Sequence, residues 1–263
     1  MIISVVSPLG RRVGNSVTSL LLAHALADTK RHTFVTHTSA KSKAYEGYLG
    51  LSAFEDKTST PSQLVKLMRE GAIQSKEIGD YCSTVYDFLD VFTTTNTNFT
   101  EDDKEQLVDF LVSSEKHYDY MVFDVEDMDS DTSRLALRHS DIIILNVTDN
   151  VVDLKTISDM QQELAKLCSG KKVVLSVSNY DAKVVKLKDI PKHTGLNTNC
   201  QPIRKNSWLK WACNNGKLTY VFSQGRSKDA DVLEVYKDSV ALASAVNKAK
   251  IAISKGKKGV FKK

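Results

Sequence analysis

The residues most able to do chemistry lie in the turn Ser7-Pro8-Leu9-Gly10-Arg11-Arg12-Val13-Gly14-Asn15-Ser16. A buried-strand pattern, Ile2–Val6, precedes it, and an apolar helical pattern, Ser16–Ala27, follows. A strand, a glycine turn and a helix together make a phosphate cradle: backbone N–H groups and the positive helix end face the anion. The spacing G-x-x-x-x-G-K-[ST] is the usual form of that cradle. In this register Leu9 stands at the first glycine, Gly14 at the second, Asn15 at the lysine and Ser16 at the hydroxyl. Gly10, Arg11, Arg12, Val13, Gly14, Asn15, Ser16 and Val17 are therefore the candidate nucleotide-contacting residues. Asparagine offers a neutral amide and cannot supply a lysine's charge to a phosphate. Arg11 and Arg12 carry guanidinium groups able to bind phosphate in bidentate fashion.

These residues need a frame, and the chain spells one out. His32–His37 reads as a second strand and Phe88–Phe92 as a short one. Tyr118–Phe123 reads as a strand ending on Asp124, and Asp141–Val147 and Lys171–Val177 as fully buried strands by their apolar runs. Asn199–Ile203 and Leu218–Phe222 complete the strand readings. Between them, helices are expected from Thr60-Pro61-Ser62 to about Gly71, over Ile78–Phe88, and over Glu101–His117 with Thr100 as N-cap. Further helices are expected over Ser130–His139, Val151–Cys168, Asp181–Lys192, Ser207–Asn214 and Asp229–Ser254, with Ala40–Leu51 a short helix or a loop. The alternation predicts an α/β fold: a doubly wound, mostly parallel sheet of about seven or eight strands with helices on both faces. Ligands bind at the carboxyl ends of such strands, so the loops after Val6, His37, Phe123, Val147 and Val177 should share one edge.

At 263 residues the chain suits one large domain, read as residues 1–247, followed by a basic segment, 248–263. That segment holds Lys248, Lys250, Lys255, Lys257, Lys258, Lys262 and Lys263 and no acid, on a body whose net charge is only +4. No apolar run is long enough to cross a bilayer, and the start lacks a secretory pattern. Cys82, Cys168, Cys200 and Cys213 have no C-x-x-C spacing and read as isolated thiols, so a cytoplasmic location is expected. Six scattered histidines give no metal-ligand spacing, no Ser/His/Asp arrangement stands out, and no catalytic residue is assigned. Arg134, Arg138 and His139 read as a solvated helix face, and Trp208 and Trp211, three apart, as core or interface.

The run Val5–Ser16 resembles, without a gap, the deviant P-loop of the ParA/MinD ATPases, V-V-x-x-x-K-G-G-V-G-K-[ST]. Tyr118-Asp119-Tyr120-Met121-Val122-Phe123-Asp124 resembles their Walker B strand, and Ala136–Ile144 the entry to their next strand. Val177-Ser178-Asn179-Tyr180-Asp181 is similar to the segment whose asparagine meets adenine, and the stretch Ile203–Leu218 is similar to one ending in a G-K turn. The likeness spans roughly residues 1–225 in order. It implies that Asn179 contacts adenine, and that Ser16 and Asp124 hold magnesium. It also marks departures. The signature lysine falls on Gly10, two loop glycines fall on Arg11 and Arg12, and the phosphate lysine falls on Asn15. The second strand, which ends D-x-D in the family, reads Thr36-His37-Thr38, and Asp124 is followed by Glu126, Asp127 and Asp129 where prolines are usual.

The resemblance implies ATP or ADP with magnesium as cofactor, a homodimer, and a role in positioning DNA or a membrane-associated assembly. The departures imply poor hydrolysis and leave two alternatives. One is a scaffold or adaptor that needs no nucleotide and acts through a protein partner. The other is a true ATPase using Arg11 or Arg12 in place of lysine. The lysine-rich segment suits an anionic membrane surface or non-specific DNA, at the membrane or the nucleoid, and equally a solvated tail.

Overall fold

The computed structural model describes residues 1–10, 13–39, 43–51, 61–93, 99–198, 200–224 and 228–254. Eight strands form a single sheet: β1 (Ile2–Val6), β2 (Thr33–His37), β3 (Ser83–Tyr86), β4 (Leu89–Val91), β5 (Tyr120–Asp124), β6 (Ile142–Val147), β7 (Lys172–Tyr180) and β8 (Cys200–Arg204). Their order is β3-β4-β2-β5-β1-β6-β7-β8. Every neighbouring pair is parallel except β3 with β4, an antiparallel pair at one edge. The expected doubly wound, mostly parallel sheet is what the chain forms.

Alternation along the strands builds two cores. Ile2 and Val6 face one side with Phe34, Met121, Ile143 and Leu175. Ile3 and Val5 face the other with Val35, Val122, Ile144 and Val174. The first face is covered by α4 (Glu101–Ser113), α5 (Asp131–His139) and α6 (Val151–Asp159). The second is covered by α1 (Asn15–Ala27) and the long α11 (Ala230–Ser254). Helix α1 is apolar around most of its circumference because it is enclosed: Thr18 to Ala27 are all buried between the sheet and its helical neighbours. His24 shares that burial. Its Nδ1 donates to the Leu20 carbonyl at 2.8 Å, its ring stacks on Phe222, and desolvation pushes its pKa down to about 4.

Most expected elements form within a residue or two. Thr100 caps α4 as expected, its hydroxyl accepting from the Asp103 amide. Helix α3 (Pro61–Arg69) and helix α2 (Ala44–Leu49) fall inside their expected ranges, and α9 (Ser207–Asn214) matches its range.

Five segments differ. The expected helix over Ile78–Phe88 is a 3-10 turn, Ser75–Tyr81, followed by β3; pairing with β4 takes Ser83–Tyr86 into the sheet edge. The expected strand Leu218–Phe222 is a turn leading into the short helix α10 (Tyr220–Ser223). There Leu218 N–H bonds the Tyr48 carbonyl rather than a neighbouring strand. The expected helix Val151–Cys168 breaks at Met160 into α6 and α7 (Gln161–Leu167). The expected helix Asp181–Lys192 is turns, a 3-10 stretch Leu187–Asp189 and then α8 (Ile190–Thr194), which places Pro191 in its first turn. The expected helix Glu101–His117 is also shorter, closing at Ser113 before a 3-10 turn, Glu115–His117.

Candidate functional site

The strand order reverses direction around β1, which lies between β5 and β6. The loops that leave the carboxyl ends of β1, β5 and β6 therefore diverge at one point, the usual place for a ligand in such sheets. The residues singled out from the sequence converge there.

Gly14 is the hinge of the loop. Its φ is +82°, a conformation glycine adopts without cost, and a Cβ there would sit 3.2 Å from Ser178 Oγ. From it α1 starts with no side-chain cap and no acid in the first turn. Its leading N–H groups thus present an uncompensated positive end, suited to an anion. Gly10, also at positive φ (+74°), closes the turn through its N–H to the Ser7 carbonyl. Arg11 and Arg12 lie outside the described residues.

Ser16 Oγ donates to Asp124 Oδ2 at 2.6 Å, so the expected magnesium pair is in contact. Asp124 ends β5 and is only 5 % exposed. Burial pushes its pKa up to about 7; the Ser16 hydrogen bond opposes that shift and nearby Glu126 adds to it. Among the described residues no cation offsets that burial. Carboxylate and hydroxyl oxygens are the hard donors magnesium takes, along with phosphate oxygens and water. Among the described residues no group of three or more His, Cys, Asp or Glu could hold a metal unaided.

Asn15 does not aim at that pair. Its Oδ1 accepts from Asn146 Nδ2 at 3.0 Å, and its own Nδ2 donates to the Val125 carbonyl at 3.4 Å. Asn146, wholly buried near the end of β6, also donates to the Val13 carbonyl and accepts from Ser178 Oγ, each at 2.9 Å. Thr18 joins through its contact with Ser178 Oγ at 3.2 Å. A neutral, buried network therefore holds the loop where the resemblance places a lysine. Sequence reading missed Asn146 and Ser178. The available signal was the one polar residue, Asn146, in the apolar run of β6, and a serine following Val177 near the end of β7.

The segment Thr36-His37-Thr38 ties rather than reacts. Thr38 Oγ1 accepts from the Glu126 amide at 3.1 Å, and the Thr38 amide donates to the Asp124 carbonyl at 2.9 Å. His37 is buried beside Tyr45, and desolvation pushes its pKa down to about 4. Asp127 shapes the loop before α5 by accepting from the amides of Asp129 and Ser130. Arg134, Arg138 and His139 are exposed, as expected.

Gly14 and Val17 open onto a cleft of about 850 Å³ whose other wall comes from the β8–α9 connection, with Asn206, Leu209 and Lys210. Asn179 stands at its rim. It sits at a β7 bulge with φ +52°, exposed, so it leaves the strand's pleat and faces the cleft region rather than capping a helix. Of the described loop residues, Gly14 and Val17 line the cleft with Asn179, whereas Val13 and Asn15 are held from behind by Asn146.

The lysine-rich segment begins as helix. Lys248 and Lys250 belong to the last turns of α11, and Lys250 Nζ lies 4.5 Å from the centre of the Tyr120 ring. Lys255, Lys257, Lys258, Lys262 and Lys263 lie outside the described residues. Among the described residues no helix is long and apolar enough to cross a membrane.

A family model described as ATPase MipZ matches residues 65–185, a little under half of the chain, a stretch that holds Asp124 and Asn179 but not the glycine loop. No curated protein matches the chain. Solved structures do. The septum site-determining protein MinD from Pyrococcus horikoshii OT3, complexed with Mg-ADP, is 14% identical with a TM-score of 0.72, over 94% of this chain and 96% of that one. A ParA family ATPase from Chlorobium tepidum TLS is 15% identical with a TM-score of 0.69, over 92% and 97%. A Cyanothece McdA variant in complex with ATP is 13% identical with a TM-score of 0.62, over 99% and 98%. By these matches the chain has the fold of the MinD and ParA structures, which it builds as an eight-stranded, mostly parallel sheet with helices on both faces.

Proposed function

We propose that the chain is a MipZ/ParA/MinD-type protein that binds ATP or ADP with magnesium and positions a cargo, DNA or a membrane-associated assembly, with little or no hydrolysis. The contact between Ser16 and Asp124, below an uncapped α1 N-terminus that opens onto the cleft, carries this reading. In it the base lies in the cleft against Asn179, the phosphates meet Gly14 and the first turn of α1, and magnesium is held by Ser16, Asp124 and the phosphates. Phosphoryl transfer depends on positioning and charge stabilisation. Asn15 supplies no charge and Thr38 no carboxylate, so binding is retained and turnover is lost. A dimer, and attachment to DNA or anionic lipid through the lysine-rich segment, complete the proposal by likeness to the family.

The Asn146 network favours a second reading, a scaffold that needs no nucleotide, because it holds the loop without any phosphate. ATP titration with and without magnesium, on the parent chain and on Asp124→Ala, separates the two. The nucleotide reading expects magnesium to tighten binding in the parent and to do nothing in the variant. Equal affinities in all four measurements would remove Asp124 from the site, and no binding at all would leave the scaffold.

A further inference from the structure

Both tryptophans of the chain lie on α9, and the structure places them in one aromatic ladder: Trp211 to Trp208 at 6.1 Å between ring centres, and Trp208 to Tyr220 at 6.2 Å. The ladder is not core. Trp211 is 50 % exposed and Tyr220 48 %, while Trp208 is partly covered by the core beneath α9. Half-exposed tryptophan is an unusual use of the side chain with the most apolar surface to hide, and it marks a contact surface.

The stretch of chain that carries the ladder bears charge of one sign. From Ile190 to Lys228 the chain holds no aspartate or glutamate but seven cations: Lys192, Arg204, Lys205, Lys210, Lys217, Arg226 and Lys228. Arg204 is spent on α11, where its guanidinium pairs with Glu234 at 3.8 Å and with Asp238 at 2.5 Å; the other acids of the neighbouring elements are Asp231 of α11 and Glu46 of α2, which packs on α9. Lys205, Lys210 and Lys217 form no ion pair among the described residues. Lys210 immediately precedes Trp211, and Lys217 opens the turn that carries Tyr220, whose N–H bonds the Lys217 carbonyl. Unpaired cations beside planar, half-open rings are complementary to a ligand with regularly spaced anionic groups and flat, stackable faces.

We propose that the α9–α10 face binds single-stranded nucleic acid, with bases stacked on Trp211 and Tyr220 and backbone phosphates beside Lys210 and Lys217. Base stacking on aromatic rings with lysines along the backbone is the general chemistry of sequence-tolerant single-strand binding. A duplex, with its bases already stacked, offers only phosphates to such a surface. The surface borders the nucleotide cleft, which Lys210 also lines, but Trp211, Lys217 and Tyr220 are not among the cleft's lining residues, so their part of the proposal does not require that ATP bind.

Because Trp208 and Trp211 are the only tryptophans, their intrinsic fluorescence reads the ladder directly. The probes are an oligothymidylate of about fifteen nucleotides, a duplex of equal length and phosphatidylserine vesicles, with the labelled oligonucleotide's anisotropy as a second readout. The oligothymidylate is expected to quench the emission and to bind more tightly than the duplex. Trp211→Ala should weaken binding about tenfold or more, Trp211→Phe should retain most of it, and Lys210→Ala with Lys217→Ala should flatten its salt dependence. Trp211 is half exposed, so its variants should fold, which an unchanged unfolding midpoint verifies. Four outcomes would overturn the proposal: no quenching and no anisotropy change, duplex binding indifferent to Trp211→Ala, an emission shift with vesicles alone, or a dimer disrupted by Trp211→Ala in the absence of nucleic acid.

Discussion

Asp124 sets the electrostatics of the site. Its pKa rises from an ordinary 3.8 to about 7, so between those values the folded chain binds a proton the unfolded chain does not. Stability therefore falls as pH rises through that window, by at most about 4 kcal/mol. His24 and His37 act oppositely: with pKa values pushed down to about 4, they contribute stability present above about 6.5 that is lost as pH falls through 4. Asp124→Asn removes only the carboxylate's part. Urea unfolding at pH 5 and pH 8 should show the variant gaining on the parent at the higher pH; an equal difference at both would mean an ordinary carboxylate. Asn15→Lys puts a cation back into the loop at the cost of the Asn146 hydrogen bond. ATP turnover in that single variant should stay at background, because Thr38 still offers no carboxylate, and measurable phosphate release would refute that assignment.

At the scale of elements, the loop and α1 are one unit joined at Gly14. Gly14→Ala forces a side chain into positive φ and against Ser178 Oγ, which should lower stability by about 1–2 kcal/mol and displace the first turn of α1. A urea midpoint equal to the parent's would show that the loop relaxes freely. How much of this was legible depended on the length and purity of each pattern. Long apolar runs such as Ile142–Val147 read correctly because burial on both faces leaves no ambiguity. Leu218–Phe222 misled because four apolar and aromatic residues around Thr219 suit a strand or a helical turn equally, and only the tertiary bond to Tyr48 decides. Ser83–Tyr86 misled because an edge strand is defined by its partner β4 rather than by its own pattern. In the site, Ser16 was singled out from the loop spacing and Asp124 from the resemblance of its strand to a Walker B segment, and the two are in contact. Asn146 was not, because a lone amide in an apolar strand gives no hint of which loop it reaches.

For the whole molecule, the sheet order brings the ends of β1, β5 and β6 together, so one glycine loop can meet an acid more than a hundred residues away. That convergence belongs to the fold and persists whichever residues occupy the loop. The fold alone therefore does not decide between a nucleotide switch and a scaffold; the charge in the loop does. In the proposed reading the bare helix end would meet the phosphates and the Asp124 carboxylate the magnesium.

The most direct measurement is a thermal-shift titration of the parent chain with ATP, ADP and a non-hydrolysable ATP analogue, with and without magnesium. A ligand bound only by the folded state raises apparent stability, by about 2.7 kcal/mol at a hundred times its Kd. The expected result is a concentration-dependent rise in the unfolding midpoint that requires magnesium and is the same for ATP and its analogue. No rise at millimolar nucleotide, in either condition, would contradict the nucleotide reading and leave a P-loop fold that works without its ligand.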